Sequence, residues 1–273
     1  MANRVFTRTG LVIWIGATLG AACVIPYAEA LAPSLGQAAH RLGVPTAVVV
    51  LLSVAQSALL LGVMTFSGLW AAGRLGLGAP LLDARLHGRA APPDLRHHAL
   101  VAAGLGLASG LAILALDLWL FVPLSRSGAG SLVAQRQPPA WTGLLASLEG
   151  GVTEEVELRL FLLSFVALAI RGARNVFKRE RTSELTPVVF WAANLLAAIA
   201  FGLGHLPTTA RLVPLTAIIV TRAVVLNGVV GVVAGWLFWR RGIEMAMVCH
   251  FSADVVLHVL APLAQTWLLK LAI

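Results

Sequence analysis

Apolar runs long enough to cross a bilayer recur along this chain, separated by short segments that carry most of its basic residues. About 20 apolar residues span the hydrocarbon as a helix, and several runs here exceed that length. Of the 273 residues, 59% are hydrophobic and only 12% are charged, with a mean hydropathy of +0.87. A soluble domain carries about 25% charged residues, so the composition excludes an ordinary globular enzyme. The expected class is all-α: a polytopic transmembrane helical bundle of seven to eight spans, forming one integral membrane domain. The net charge of +8 does not mark a nucleic-acid partner, because the basic residues sit between spans, where they set topology. Cys23 and Cys249 both lie in apolar segments and suggest neither a disulfide framework nor a metal motif.

Taken in order, Arg4 and Arg8 precede an apolar run from Leu11, and Ala28-Glu29-Ala30 imitates a signal-peptide cleavage site. The run, about 18 residues, is longer than the 7–15 of a cleavable peptide, which favours a retained first span. Further spans are expected at about 45–72, 98–123, 141–170 and 187–205. The segment 73–97, with Arg74, Arg85, Arg89, Arg96 and Ala91-Pro92-Pro93-Asp94, reads as a loop. So does the Ser-, Gly- and Pro-rich segment 125–139. Asp117, beside Trp119 near the end of the third span, is expected at the interface. Residues 212–239, with Arg222 and Asn227, read as one tilted span or as a short broken segment plus a span. The last run, 243–273, is long enough for Pro262 to divide it.

With the N-terminus in the cytoplasm and alternating spans, the cytoplasmic segments hold thirteen Lys and Arg residues. These include the cluster Arg171, Arg174, Lys178, Arg179 and Arg181. The opposite loops hold four: Arg41, Arg126, Arg136 and Arg211. That asymmetry places the N-terminus inside. The expected location is the cell (inner) membrane, multi-pass.

Three polar constellations break the apolar pattern. Within 141–170 the chain reads Gly150-Gly151-Val152-Thr153-Glu154-Glu155-Val156-Glu157-Leu158-Arg159. An isolated charge at a helix centre costs roughly 2.5–3.5 kcal/mol, so four unpaired would cost about 10 kcal/mol. Glu155 and Arg159, at i and i+4, can pair. That leaves Glu154 as the less compensated carboxylate, suited to general-base work on water. The second constellation is Phe201-Gly202-Leu203-Gly204-His205, which puts an aromatic ring on the face of the imidazole. The third, His250-x-x-x-Asp254-x-x-x-His258, stacks three polar side chains on one helix face. Each alone has a plain structural reading: a bundle salt bridge, an interfacial histidine, a self-satisfied His–Asp pair.

Together, Glu-Glu-x-x-x-Arg, Phe-x-x-x-His and His-x-x-x-Asp on separate apolar helices resemble the CPBP family of intramembrane proteases. That family includes CAAX endoproteases and bacteriocin-processing or immunity relatives. The lead-in Gly231-x-x-x-Gly235-Trp-Leu-Phe-Trp-Arg-Arg-Gly242 is also similar to it. The resemblance covers roughly 140–260 and divides the chain into N-terminal helices and loops (1–139) and a catalytic helical core (140–273). Departures are Leu158-Arg159-Leu160 where the family often has Phe-Arg-Gly, the added Glu157, and Asp254 where Asn is frequent.

The resemblance implies an intramembrane endopeptidase acting near the C-terminus of membrane-anchored or lipidated proteins. By it, Glu154 activates water with help from His205, and Glu155 and Arg159 hold the helix and tune the site. His250 and Asp254 would stabilise the oxyanion. An ionised Asp only accepts hydrogen bonds, so Asp254 is protonated, orients His250, or binds a metal. His205, His250 and Asp254 would make a zinc shell with Glu154 as base; the metal-free glutamate mechanism is the favoured reading. The expected partners are a membrane-anchored protein substrate with a C-terminal signal and the lipid bilayer, with no nucleic acid. Helix depths lean towards a site opening outward, which suits exported proteins of the kind cleaved by a bacterial branch resembling the myxosortases. The rival classes are a proton- or ion-coupled transporter and a non-catalytic binding or immunity protein.

Overall fold

A computed structural model of the chain describes residues 2–90, 92–125, 138–178 and 184–271. Among them, seven long helices form the bundle: α1 (Phe6–Leu31), α2 (Thr46–Gly73), α3 (Leu95–Leu124), α4 (140–178), α5 (Pro187–Leu212), α6 (Ala217–Arg241) and α7 (Ile243–Trp267). Six are long and apolar enough to cross a membrane. The seventh, α4, falls short of that apolarity because Glu149, Glu154, Glu155, Glu157 and Arg159 sit in it. The all-α polytopic bundle is as expected from composition.

The position of α4 explains how it carries those charges. It packs against α1, α2, α5 and α7, and its Val156, Leu160, Leu163 and Ala167 are fully buried. Its polar side chains therefore face protein rather than hydrocarbon, the usual arrangement for charges inside a membrane bundle. Exposed leucines and valines such as Leu19, Leu51, Leu59, Val63 and Leu100 cover the outer faces of α1, α2 and α3.

The helices approach closely where a side chain is missing, as in membrane bundles generally. A Cβ at Gly202 would strike the Val224 backbone, and one at Gly235 would strike the buried Asn194. Asn194 donates from Nδ2 to the Val232 carbonyl at 3.1 Å, clamping α5 to α6. Gly242, with φ 92°, supplies the single-residue turn between α6 and α7. A left-handed φ costs glycine nothing, so the two helices run back to back.

Several sequence expectations change. Of the two readings of residues 212–239, the structure has the single unbroken span: α5 turns at His205 and continues as Leu206–Leu212, and α6 then runs as one helix from the cap Thr216, whose hydroxyl accepts from Ile219 N. Pro262 does not divide the last run, which stays helical to Leu271. One residue separates the proline from a π-helical stretch, 255–260, and it lies in the first turn of the α-helical segment Ala261–Leu271, where the wide turns before it already displace the ladder that its missing N–H would interrupt.

The loop 73–97 contains a helix, Pro80–Leu86, whose Leu81 and Leu82 N–H groups both donate to Glu244 Oε1 at 2.9 Å. A carboxylate at a helix start satisfies donors that have no partner within the helix. Asp117 is buried and has a partner that the sequence did not show. Arg222 donates to it from Nε and Nη2 at 2.6 and 2.7 Å, a two-pronged pair joining α6 to α3. The expected loop residues 126–137, with Arg126 and Arg136, and the basic residues Arg179 and Arg181 lie outside the described residues.

Candidate active site

The glycine pair that opens the charged block also lets it reach α7. A Cβ on Gly150 would collide with Asp254 Oδ2, and one on Gly151 would lie 2.8 Å from Phe251 Cβ. With hydrogen in place of methyl, α4 lies directly on the face of α7 that carries His250 and Asp254. Here α4 is π-helical over 149–154 and again over 156–163. Such wide turns are rare and recur at functional sites. Nothing in the sequence pattern announced them beyond the Gly-Gly pair.

Three helices thereby bring Glu154, His205 and His250 together. Glu154 Oε1 lies 3.7 Å from His205 Nε2, and Glu154 Oε2 lies 3.6 Å from His250 Nε2. Each carboxylate oxygen thus faces one imidazole, at a separation too long for a direct hydrogen bond and suited to a bridging water. His205 stands at the junction where α5 turns, one residue before Leu206-Pro207. Its Nδ1 lies 3.0 Å from the Phe201 carbonyl. A carbonyl only accepts, so Nδ1 carries the proton and Nε2 is turned to Glu154.

His250 is held from behind in the same sense. Its Nδ1 donates to Glu155 Oε1 at 2.7 Å, and the same oxygen pairs with Arg159 Nη1 at 2.8 Å. Arg159 Nη2 in turn donates to the Gly231 carbonyl of α6 at 3.1 Å. The i, i+4 pairing expected of Glu155 and Arg159 is present, and it does more than hold α4. It orients the His250 ring through an anionic partner, a role the sequence had left open for Asp254. Asp254 Oδ1 is instead 3.8 Å from His250 Nε2, on the side away from that hydrogen bond. Phe201 joins the three groups: its ring meets His205 and His250 edge-on at 4.9 and 5.4 Å, and the Arg159 guanidinium lies 5.2 Å from its centroid.

Burial grades the site. The side chains of Glu155, Arg159 and His250 are 0–2% exposed, whereas Glu154 is 18% and His205 39% exposed. Support lies inside; the two groups that would meet water and substrate lie at the opening. Among the described residues no group of three or more His, Cys, Asp or Glu side chains is arranged to hold a metal ion.

Sequence spacing did not find two neighbours of this cluster. Thr153 donates from its hydroxyl to the Ala17 carbonyl at 2.8 Å, tying α1 to α4 one residue before Glu154. Tyr27, also on α1, lies 3.0 Å from His258 Nδ1. Contacts between residues over a hundred positions apart leave no trace in a local pattern.

An all-helical bundle with carboxylates and imidazoles gathered inside it defines a multi-pass membrane protein with a buried polar site. Residues 136–256 match the family model described as type II CAAX prenyl endopeptidase Rce1-like. This segment, somewhat under half of the chain, takes in all seven residues from Glu154 to Asp254 singled out above, and its match supports the CAAX-protease family. The match supports CAAX-type intramembrane endopeptidase activity on membrane-anchored proteins. No curated protein and no solved structure matches the chain.

Proposed function

We propose that this chain hydrolyses a peptide bond near the C-terminus of a membrane-anchored or lipidated protein, with Glu154 as the general base on water. The observation that carries the reading is the placing of Glu154 between two imidazoles, each fixed from behind and each turning Nε2 towards it. A water seated at the 3.6–3.7 Å gaps would give a proton to Glu154 while its oxygen adds to the scissile carbonyl carbon. His250, with a proton on Nε2, would donate to the oxyanion, and the Glu155 carboxylate behind the ring balances the positive charge this requires. As the intermediate collapses the C–N bond breaks, and Glu154 returns its proton to the leaving amine. His205, the most exposed of the set, would orient the water and the peptide beside it. Phe201 fills the floor beneath both rings.

In this reading Glu154 activates the water without a metal. His205 stands at the end of α5 that, with the N-terminus inside, is the outer one; this supports exported proteins with a C-terminal anchor as substrates, in the cell membrane. In membranes from cells expressing the wild type, tail removal is expected to persist with a strong zinc chelator and to stop in Glu154→Gln. Cleavage lost on chelation and restored by zinc would replace the glutamate mechanism with a metal-dependent one.

A further inference from the structure

Tyr27 is the single tyrosine of the chain. It lies near the end of α1, outside the family-matched segment, and its hydroxyl is 3.0 Å from Nδ1 of His258, which also lies outside that segment. The two rings meet edge-on with centroids 5.1 Å apart. The other ring nitrogen of His258, Nε2, is 3.9 Å from Asp254 Oδ1, an ion–dipole separation that one water can bridge rather than a direct hydrogen bond. That same oxygen is 3.8 Å from His250 Nε2. One carboxylate oxygen therefore stands between two imidazoles, and α1 backs the outer one.

The chemistry of the donors orders this chain. If the Tyr27 O–H donates to Nδ1, the ring proton of His258 is on Nε2 and faces the carboxylate. If Nδ1 carried the proton instead, the Nε2 lone pair would face the Asp254 oxygen, an unfavourable contact in a site with little water. Gly150 completes the arrangement, since any side chain there would displace Asp254 Oδ2.

We propose that Tyr27 and His258 are positioning residues that hold the Asp254 carboxylate against His250 Nε2, so that the first helix completes a site whose reacting groups all come from α4, α5 and α7. The placement stands on geometry; its consequence for turnover rests on the peptidase reading. Nothing in it requires Tyr27 or His258 to touch substrate.

The test is ¹⁵N NMR of the histidine rings in the full-length chain in lipid nanodiscs, with signals assigned by their loss in His258→Gln and His250→Gln. In the wild type, His258 is expected to show a bare Nδ1 and a protonated Nε2. Tyr27→Phe keeps the ring and removes only the hydroxyl. It is expected to move the His250 Nε2 signal, although Tyr27 has no contact with His250. His258→Gln can accept from Tyr27 through Oε1 and turn its Nε2 donor towards Asp254, so it leaves His250 as in the wild type. His258→Leu reproduces Tyr27→Phe, and this pair decides the matter if Tyr27→Phe fails to fold. A His250 signal unmoved in Tyr27→Phe or His258→Leu, or a wild-type His258 protonated on Nδ1, overturns the proposal. On a cleaved substrate, Tyr27→Phe is expected to lower kcat about tenfold at unchanged KM, the upper end for loss of one hydrogen bond, and His258→Gln to keep the wild-type kcat. A His250 signal that moves while no cleavage depends on Glu154 leaves the positioning role standing and removes the peptidase.

Discussion

At the scale of single residues, the account turns on which carboxylate meets water and which stays behind. Glu155, fully buried between Arg159 and His250, has no route to substrate. Glu155→Gln leaves Arg159 buried against a neutral partner. Breaking a buried pair costs about 3–5 kcal/mol, so a clearly lowered midpoint is expected in thermal unfolding followed by tryptophan fluorescence. Glu154→Gln, on a partly exposed residue outside that pair, is expected to abolish cleavage and leave the midpoint within about 1 kcal/mol of the wild type. Equal midpoints for the two variants would count against the division of roles. Glu154, Glu155, Arg159, His205, His250 and Asp254 were legible in sequence because charged and imidazole side chains stand out in apolar helices. What each of them touches was not. Spacing shows only partners on the same helix, so it paired Glu155 with Arg159 and could not see that Glu155, rather than Asp254, fixes His250.

At the scale of elements, glycines decide how near the helices come. Gly150→Ala places a methyl group against Asp254 Oδ2 and forces α4 and α7 apart. A misplacement near 1 Å can cost about a hundredfold in rate, so cleavage is expected to fall by about that factor while the protein still inserts and accumulates in the membrane. Wild-type rates in this variant would contradict the close approach. The Asp117–Arg222 pair makes a second case. Asp117→Ala strands a guanidinium and is expected to destabilise by about 3–5 kcal/mol, whereas Asp117→Leu with Arg222→Met restores most of the loss; denaturation in mild detergent reads both. The long helices were legible because hydropathy alone delimits them, and their observed bounds fall within a few residues of expectation for α2 and α3. So was the break at His205, where the expected fifth span ends. The π turns of α4 and α7 and the Pro80–Leu86 helix under Glu244 were not, since each depends on packing against a distant segment.

At the scale of the molecule, the proposed topology of seven crossings from a cytoplasmic N-terminus would put the C-terminus outside. Reporter fusions at the two ends should therefore fall on opposite sides, and fusions on the same side would refute the odd number of crossings. Cysteines introduced beside Glu154 should react with an impermeant thiol reagent added from outside; protection from that side with reaction from the cytoplasm would reverse the opening of the site. Neither result alone shows that the site cuts peptides. That claim is tested most directly by mass spectrometry of the C-termini of membrane and secreted proteins in cells carrying the wild type or Glu154→Gln. A set of proteins that keep their C-terminal tails only in the mutant is the expected result, and those tails identify the substrates. Identical C-termini in the two strains, with the mutant protein present at wild-type level, would contradict the peptidase and leave a binding or immunity protein built on the same bundle.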